Sequence, residues 1–143
     1  MECAAVCLEK PNRPPAERIL VAEDHPVNQI LVRKILEKNG FEVVLASDGE
    51  AALSLWRNDP GRYDLILMDI QMPNLDGLET TRQIRLEENP QARPVPIVAL
   101  TAHAMAGDEE RCLAAGMNAY LPKPIETHRL VSTLRRFISS HPC

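Results

Sequence analysis

The 143-residue chain is 45% hydrophobic and 25% charged, the composition of one ordinary globular domain and not of a disordered or membrane-spanning segment. Sixteen Lys and Arg against twenty Asp and Glu leave a net charge of −4, which argues against a whole-domain grip on nucleic acid. One Trp, two Tyr and two Phe are too few for base-stacking platforms, and a chain this long buries about two-thirds of its unfolded surface without a disulfide or metal staple.

Residues 1–17 hold Pro11, Pro14 and Pro15 and lack a basic, apolar secretory signal, so they read as a flexible leader. Cys3, Cys7, Cys112 and Cys143 form no CxxC pair and read as free thiols of a reduced, cytoplasmic protein. Ile19-Leu-Val-Ala22 is the first short apolar run. A helix then follows, with Val27, Ile30, Leu31 and Ile35 on one face, Pro26 in its first turn and Asn39-Gly40 at its stop. Phe41–Ala46 is the second run; Ser47-Asp-Gly-Glu50 reads as a capping box for a helix burying Ala52, Leu55 and Trp56. Leu65-Ile-Leu-Met68 is the third run, and Asp76 can cap a helix carrying Leu78, Thr81 and Ile84.

Val95–Leu100 is the fourth run, with Pro96 tolerable only near its start. A helix with Cys112 and Leu113 closes at Gly116, Ala119-Tyr-Leu121 is the weakest run, and Leu130, Leu134, Phe137 and Ile138 share one side of a last helix. Continuous apolarity over four to six residues suits strands buried on both faces of a parallel sheet. Strand and helix alternate five times, which predicts an open, doubly wound α/β sandwich.

The polar residues fall after the strands. Glu23-Asp24 follow the first run, Asp69 the third, Thr101 the fourth and Pro122-Lys123-Pro124 the fifth. In a sheet ordered 2-1-3-4-5 those carboxyl ends share a crevice where the strand order reverses. Taken singly, each residue has an ordinary reading: Asp24 as a helix cap, Thr101 as a strand-end cap, Lys123 as a surface lysine. Taken together, three carboxylates repel one another unless a hard divalent cation such as Mg²⁺ offsets them. Thr101 and Lys123 can then bind phosphoryl oxygens, and an ionised Asp69 can act as nucleophile toward phosphorus.

Ile19–Gln29, Leu67–Gly77 with its Met-Asp-x-x-Met-Pro-x-x-Asp-Gly pattern, Ala99–His103 and Tyr120-Leu-Pro-Lys-Pro124 resemble the receiver domain of two-component response regulators. The wording around Asn28-Gln29, Ala106-Gly-Asp108 and Ala114–Met117 resembles receivers of hybrid histidine kinases. The resemblance covers nearly all of residues 18–139, leaving 140–143 as a tail, and implies a flavodoxin-like, five-stranded parallel sheet with five helices. It implies Asp69 as phosphoacceptor, and Glu23, Asp24, Asp69 and the Gln71 carbonyl around Mg²⁺. It further implies Thr101 and Lys123 on the phosphoryl group, Tyr120 as a switch that turns inward with Thr101, and a cis Lys123–Pro124 bond. The implied partners are a histidine kinase or histidine phosphotransfer protein and a downstream signalling protein, with neither nucleic acid nor membrane contacted and homodimerisation open.

On this reading the chain is a cytoplasmic single-domain regulator or a terminal receiver of a hybrid kinase, self-catalysing phosphoryl transfer without being a conventional enzyme. His25-Pro26 departs from the Asn or Asp that more often follows the acidic pair. A haloacid-dehalogenase-type phosphatase is an alternative, but it needs a second Asp where Gln71 stands. A flavin binder on the same topology would want a Ser-, Thr- and Gly-rich loop where Glu23–Pro26 stands. A phosphorylation-independent interaction domain is the third alternative.

Overall fold

The computed structural model describes residues 17–72, 74–102 and 107–138. Five strands alternate with five helices among them: β1 Arg18–Ala22, α1 Pro26–Lys38, β2 Glu42–Ala46, α2 Gly49–Asn58, β3 Leu65–Asp69, α3 Gly77–Glu87, β4 Ile97–Thr101, α4 Asp108–Ala115, β5 Ala119–Pro122 and α5 Thr127–Ile138. All pairings are parallel and the order is β2-β1-β3-β4-β5, the doubly wound topology that the sequence predicts. The expected leader up to Ala16, His103 and the tail lie outside the described residues. Glu17 continues β1 outward, accepting a hydrogen bond from Glu42 N at 2.8 Å.

The continuous apolar runs are explained by two cores. Leu20, Ala22, Ile66, Met68, Ile97 and Ala99 face α2, α3 and α4, together with Trp56, Leu78, Ile84 and Cys112. Ile19, Val21, Leu65, Leu67, Val98 and Leu100 face the other way, against Val32, Ile35 and Leu36 of α1 and Leu130, Leu134 and Ile138 of α5. Alternate side chains of each strand therefore enter opposite layers, and every residue of β3 and β4 is buried. Each fully buried Leu or Ile contributes about 1.5–3 kcal/mol.

Two local expectations are corrected, on α1 and α2. In α1 the buried stripe is Val32, Ile35 and Leu36, whereas Val27, Ile30 and Leu31 are 65%, 57% and 39% exposed. The helix rotates its carboxyl half onto the sheet and leaves its first turns above the sheet edge, so only Ile35 belongs to both sets. At α2 the cap is Asp48, not Ser47: its carboxylate accepts from Ala51 N at 2.8 Å, and Leu53 is buried while Leu55 is half-buried. In α4, Leu113 is exposed and Cys112 alone of that pair enters the core.

Other punctuation follows the sequence. Pro26 opens α1 behind the His25 N-cap, so Asp24 is not a helix cap. Asp76 caps α3 through Glu79 N at 2.8 Å, and Gly116 ends α4 at φ +108°, a left-handed conformation that residues with a Cβ resist. No helix among the described residues is long and apolar enough to cross a membrane.

Candidate functional site

The carboxyl ends of β1, β3 and β4 and the start of the β5–α5 loop bring the predicted groups to one rim. Glu23, immediately after β1, is held where Glu23 N donates to Ala46 O at 3.0 Å and Gln29 Nε2 donates to Glu23 O at 2.5 Å. Glu23 is 0% and Asp69 4% exposed, while Asp24 points outward. One carboxylate oxygen from each of Glu23, Asp24 and Asp69 lies within 4.8 Å of the others. Lys123 Nζ stands 3.0 Å from Asp69 Oδ2 and 3.0 Å from Glu23 Oε1, bridging two of the three charges. Glu23 Oε1 is thus paired with the buried ammonium.

Backbone donors complete the rim. Gln71 N donates to Asp69 Oδ1 at 3.2 Å and His25 N to Glu23 Oε2 at 3.1 Å. The β3–α3 loop passes close beneath: Gly77 N donates to Ile70 O at 2.9 Å, and a Cβ at Gly77 would lie 2.2 Å from Asp69 O. Asn74, at φ 70°, anchors the same loop by donating from Nδ2 to Asp48 Oδ2 at 2.6 Å. Thr101 is buried at the end of β4, and Thr101 O accepts from Lys123 N at 2.7 Å, which fixes the lysine backbone against β4. Tyr120 is half-buried against the α2–α4 core, and the Lys123–Pro124 peptide bond is cis.

Burial pushes the Asp69 carboxyl up to about 6; the Lys123 hydrogen bond opposes the rise and the Glu23 charge adds to it. Burial also works against the Lys123 charge, but Glu23 and Asp69 outweigh it and hold the ammonium above the ordinary lysine range. The site is therefore short of positive charge even with Lys123 in place. Three carboxylate oxygens close enough to share one ion, two of them on buried side chains, and a rim open to water fit a hard divalent ion.

Every residue singled out from the sequence at this rim lies within the described residues, and Glu23, Asp24, Asp69 and Lys123 converge. Sequence reasoning missed the residues that widen the rim into a cleft of about 640 Å³, lined by Asp24, Gln71, Asp76, Thr101, Asp108 and Arg111 among others. Asp76 is legible in sequence as a cap only, and Arg111 sits on a helix whose packing beside α3 and β5 no local pattern reveals. A second cavity, about 420 Å³, opens at the opposite end of the sheet beside Trp56, Tyr63 and Pro94 and takes no part in this site.

Residues 19–135 match the response regulator receiver domain family. Hybrid signal transduction histidine kinase I of Dictyostelium discoideum is 42% identical over 128 residues, which span 87% of this chain but 7% of that protein. Polar-differentiation response regulator DivK of Brucella anthropi is 40% identical over 84% of this chain and 94% of its own length. Among solved structures, the receiver domain of sensor histidine kinase PA1611 of Pseudomonas aeruginosa, with a magnesium ion in its active site cleft, is 46% identical. It covers 87% of this chain and 99% of that one, with a TM-score of 0.78. The receiver of Saccharomyces cerevisiae Ssk1, crystallised with the histidine phosphotransfer protein Ypd1, is 33% identical with a TM-score of 0.80, covering 90% of this chain and 93% of that one. A parallel sheet in the order 2-1-3-4-5, a buried acidic rim bridged by a lysine and these matches lead to one conclusion: the chain belongs to the response regulator receiver domain family.

Proposed function

We propose that this domain, residues 18–139, accepts a phosphoryl group from a phosphohistidine onto Asp69 and passes on a conformational signal. The observation that carries the reading is the Asp69 carboxylate, buried at the head of β3 yet facing a rim with two further carboxylates and one ammonium. In the transfer, an Asp69 oxygen forms a bond to phosphorus as the P–N bond to the donor imidazole breaks, the nitrogen keeping the electron pair. Glu23, Asp24, Asp69 and the Gln71 carbonyl are the oxygens that would hold Mg²⁺ here; the similar PA1611 receiver carries a magnesium ion in its active site cleft. Bound there, the ion would offset charge on the transferring phosphoryl oxygens. The chain's own part is positioning: the Gln71 N–H bond aims one Asp69 oxygen, and Lys123 holds the other.

Lys123 then serves as counter-ion to the new phosphoryl group, and the Thr101 hydroxyl is drawn toward it. Replacing one negative charge by nearly two, with three acceptor oxygens, biases β4 and its following loop toward that position. Tyr120, on neighbouring β5, turns into the space that Thr101 leaves. Domain-catalysed gain and loss of the phosphoryl group, without turnover of a free substrate, is the corresponding activity, in the cytoplasm.

The donor must bring its imidazole to this rim, so the surface beside Glu23–Asp24 is covered during transfer. Val27, Ile30 and Leu31 lie there, exposed and apolar, and we assign them to a helical face of a histidine phosphotransfer protein or kinase. Ssk1 and Ypd1 show that a similar receiver pairs with such a protein. Mass spectrometry after incubation with acetyl phosphate and Mg²⁺ tests the central claim. One added phosphoryl group, lost in Asp69→Ala, is the expected result; an unmodified wild type, or a variant labelled equally, overturns it.

A further inference from the structure

The cleft beside the acidic rim is lined by three carboxylates, and a phosphoryl donor is itself an anion. Asp24, Asp76 and Asp108 line the cleft, with Glu23 and Asp69 behind them. Lys123 is already engaged by two carboxylates. Arg111 is the one basic side chain among the described residues lining this cleft. It stands on α4, lining the cleft together with Asp24, with 65% of its side chain exposed. Its contact with Asp108, Nη1 to Oδ1, is 3.5 Å long, at the outer limit of a hydrogen bond. Arg85 shows what a fixed guanidinium looks like in the same fold: 20% exposed and bonded to Gly116 O, Val95 O, Glu88 and Asn118 Oδ1.

We propose that Arg111 is a donor-binding arm: its guanidinium leaves Asp108 and grips the phosphoryl oxygens of an incoming anionic donor at the mouth of the cleft. The proposal rests on Asp69 being the phosphoacceptor and adds the residue that selects and orients the donor. A guanidinium fork matches phosphoryl oxygens in two-point geometry, and leaving an exposed partner costs little. With acetyl phosphate as donor, the bond from Asp69 to phosphorus forms as the P–O bond to the acyl group breaks, acetate departing with the electron pair. Arg111 gains and loses no bond or proton in that step. It concentrates and aligns the donor dianion against the repulsion of the surrounding carboxylates.

The test is the initial rate of Asp69 phosphorylation against acetyl phosphate concentration at fixed Mg²⁺, for wild type, Arg111→Gln, Arg111→Lys, Asp108→Asn and Arg82→Gln. Arg82 carries another exposed guanidinium, 52% accessible and paired with Glu79 on α3, outside the cleft lining, and controls for net charge. In Arg111→Gln the half-saturating acetyl phosphate concentration should rise about three- to tenfold with the maximal rate little changed. Arg111→Lys should recover part of that loss. Asp108→Asn, which releases the arm, should shift half-saturation the other way, and Mg²⁺ dependence and melting temperature should stay at wild-type values in Arg111→Gln. Unchanged half-saturation in Arg111→Gln, an equal shift in Arg82→Gln, or a fall in maximal rate alone overturns the proposal. Wild type that takes up no phosphoryl group overturns both this inference and the phosphoacceptor reading beneath it, whereas normal labelling with indifferent Arg111 variants overturns this inference alone.

Discussion

Glu23 and Asp69 are almost wholly buried, and Lys123 is the cation that stands between them. Because the folded Asp69 carboxyl titrates near 6 rather than at its ordinary 3.8, its stabilising contribution is fully present below the unfolded value and is lost as pH rises through about 6. With a chelator present, urea unfolding of wild type should therefore weaken between pH 4 and pH 7 relative to Asp69→Asn. The variant should be the more stable by roughly 1–2 kcal/mol at neutral pH, after allowance for water at the rim. Mg²⁺ should raise the melting temperature of wild type and leave the variant nearly unmoved. Lys123→Met has the opposite sign: it strands two buried carboxylates, and a loss of about 3 kcal/mol is expected in the same chelated buffer. A variant as stable as wild type there would show that the ammonium is dispensable.

At the scale of elements, the strands were legible because burial on both faces makes their sequences continuously apolar, as in Leu65–Met68. The acidic rim was legible too, since strand ends are visible in sequence and the resemblance to receivers supplied the sheet order, which alternation alone leaves open. The face of α1 was not. Val27, Ile30 and Leu31 have helical spacing, but spacing cannot tell an inward stripe from one turned toward a partner. Likewise Ser47 and Asp48 are both cap residues, and only the backbone path selects Asp48. If the exposed α1 stripe is a docking face, Ile30→Asp should slow phosphotransfer from a histidine phosphotransfer protein about tenfold or more, as an anchor residue does. Labelling by acetyl phosphate and the melting temperature should not change. The β3–α3 loop makes a contrasting case: Gly77→Ala pushes a methyl group against the Asp69 carbonyl, so acetyl phosphate labelling and stability should fall together, the latter by about 1–3 kcal/mol.

On the scale of the whole molecule, the chemistry and the scaffold occupy opposite ends of one sheet. Arg85 stitches α3 to the segments entering β4 and β5, through Val95 O, Gly116 O and Asn118, at the strands' amino ends. β3, five residues long, separates that end from Asp69 by roughly 13 Å. Side chains so far apart with no shared partner act independently. Arg85→Ala should cost about 2 kcal/mol by leaving several acceptors unpaired, and its effect should add to that of Asp69→Asn within about 0.5 kcal/mol. A larger discrepancy in denaturation measurements of the double variant would reveal coupling through the sheet.

The single Trp of the chain, Trp56, is 2% exposed and sits with Tyr63 at this same amino end. The molecule thus carries one indole fluorophore, screened from quenchers until the core opens and at the opposite end of the sheet from the carboxylate rim. Its emission is a clean reporter of unfolding and blind to signalling, so an optical readout of phosphorylation calls for a second indole introduced beside the carboxylates.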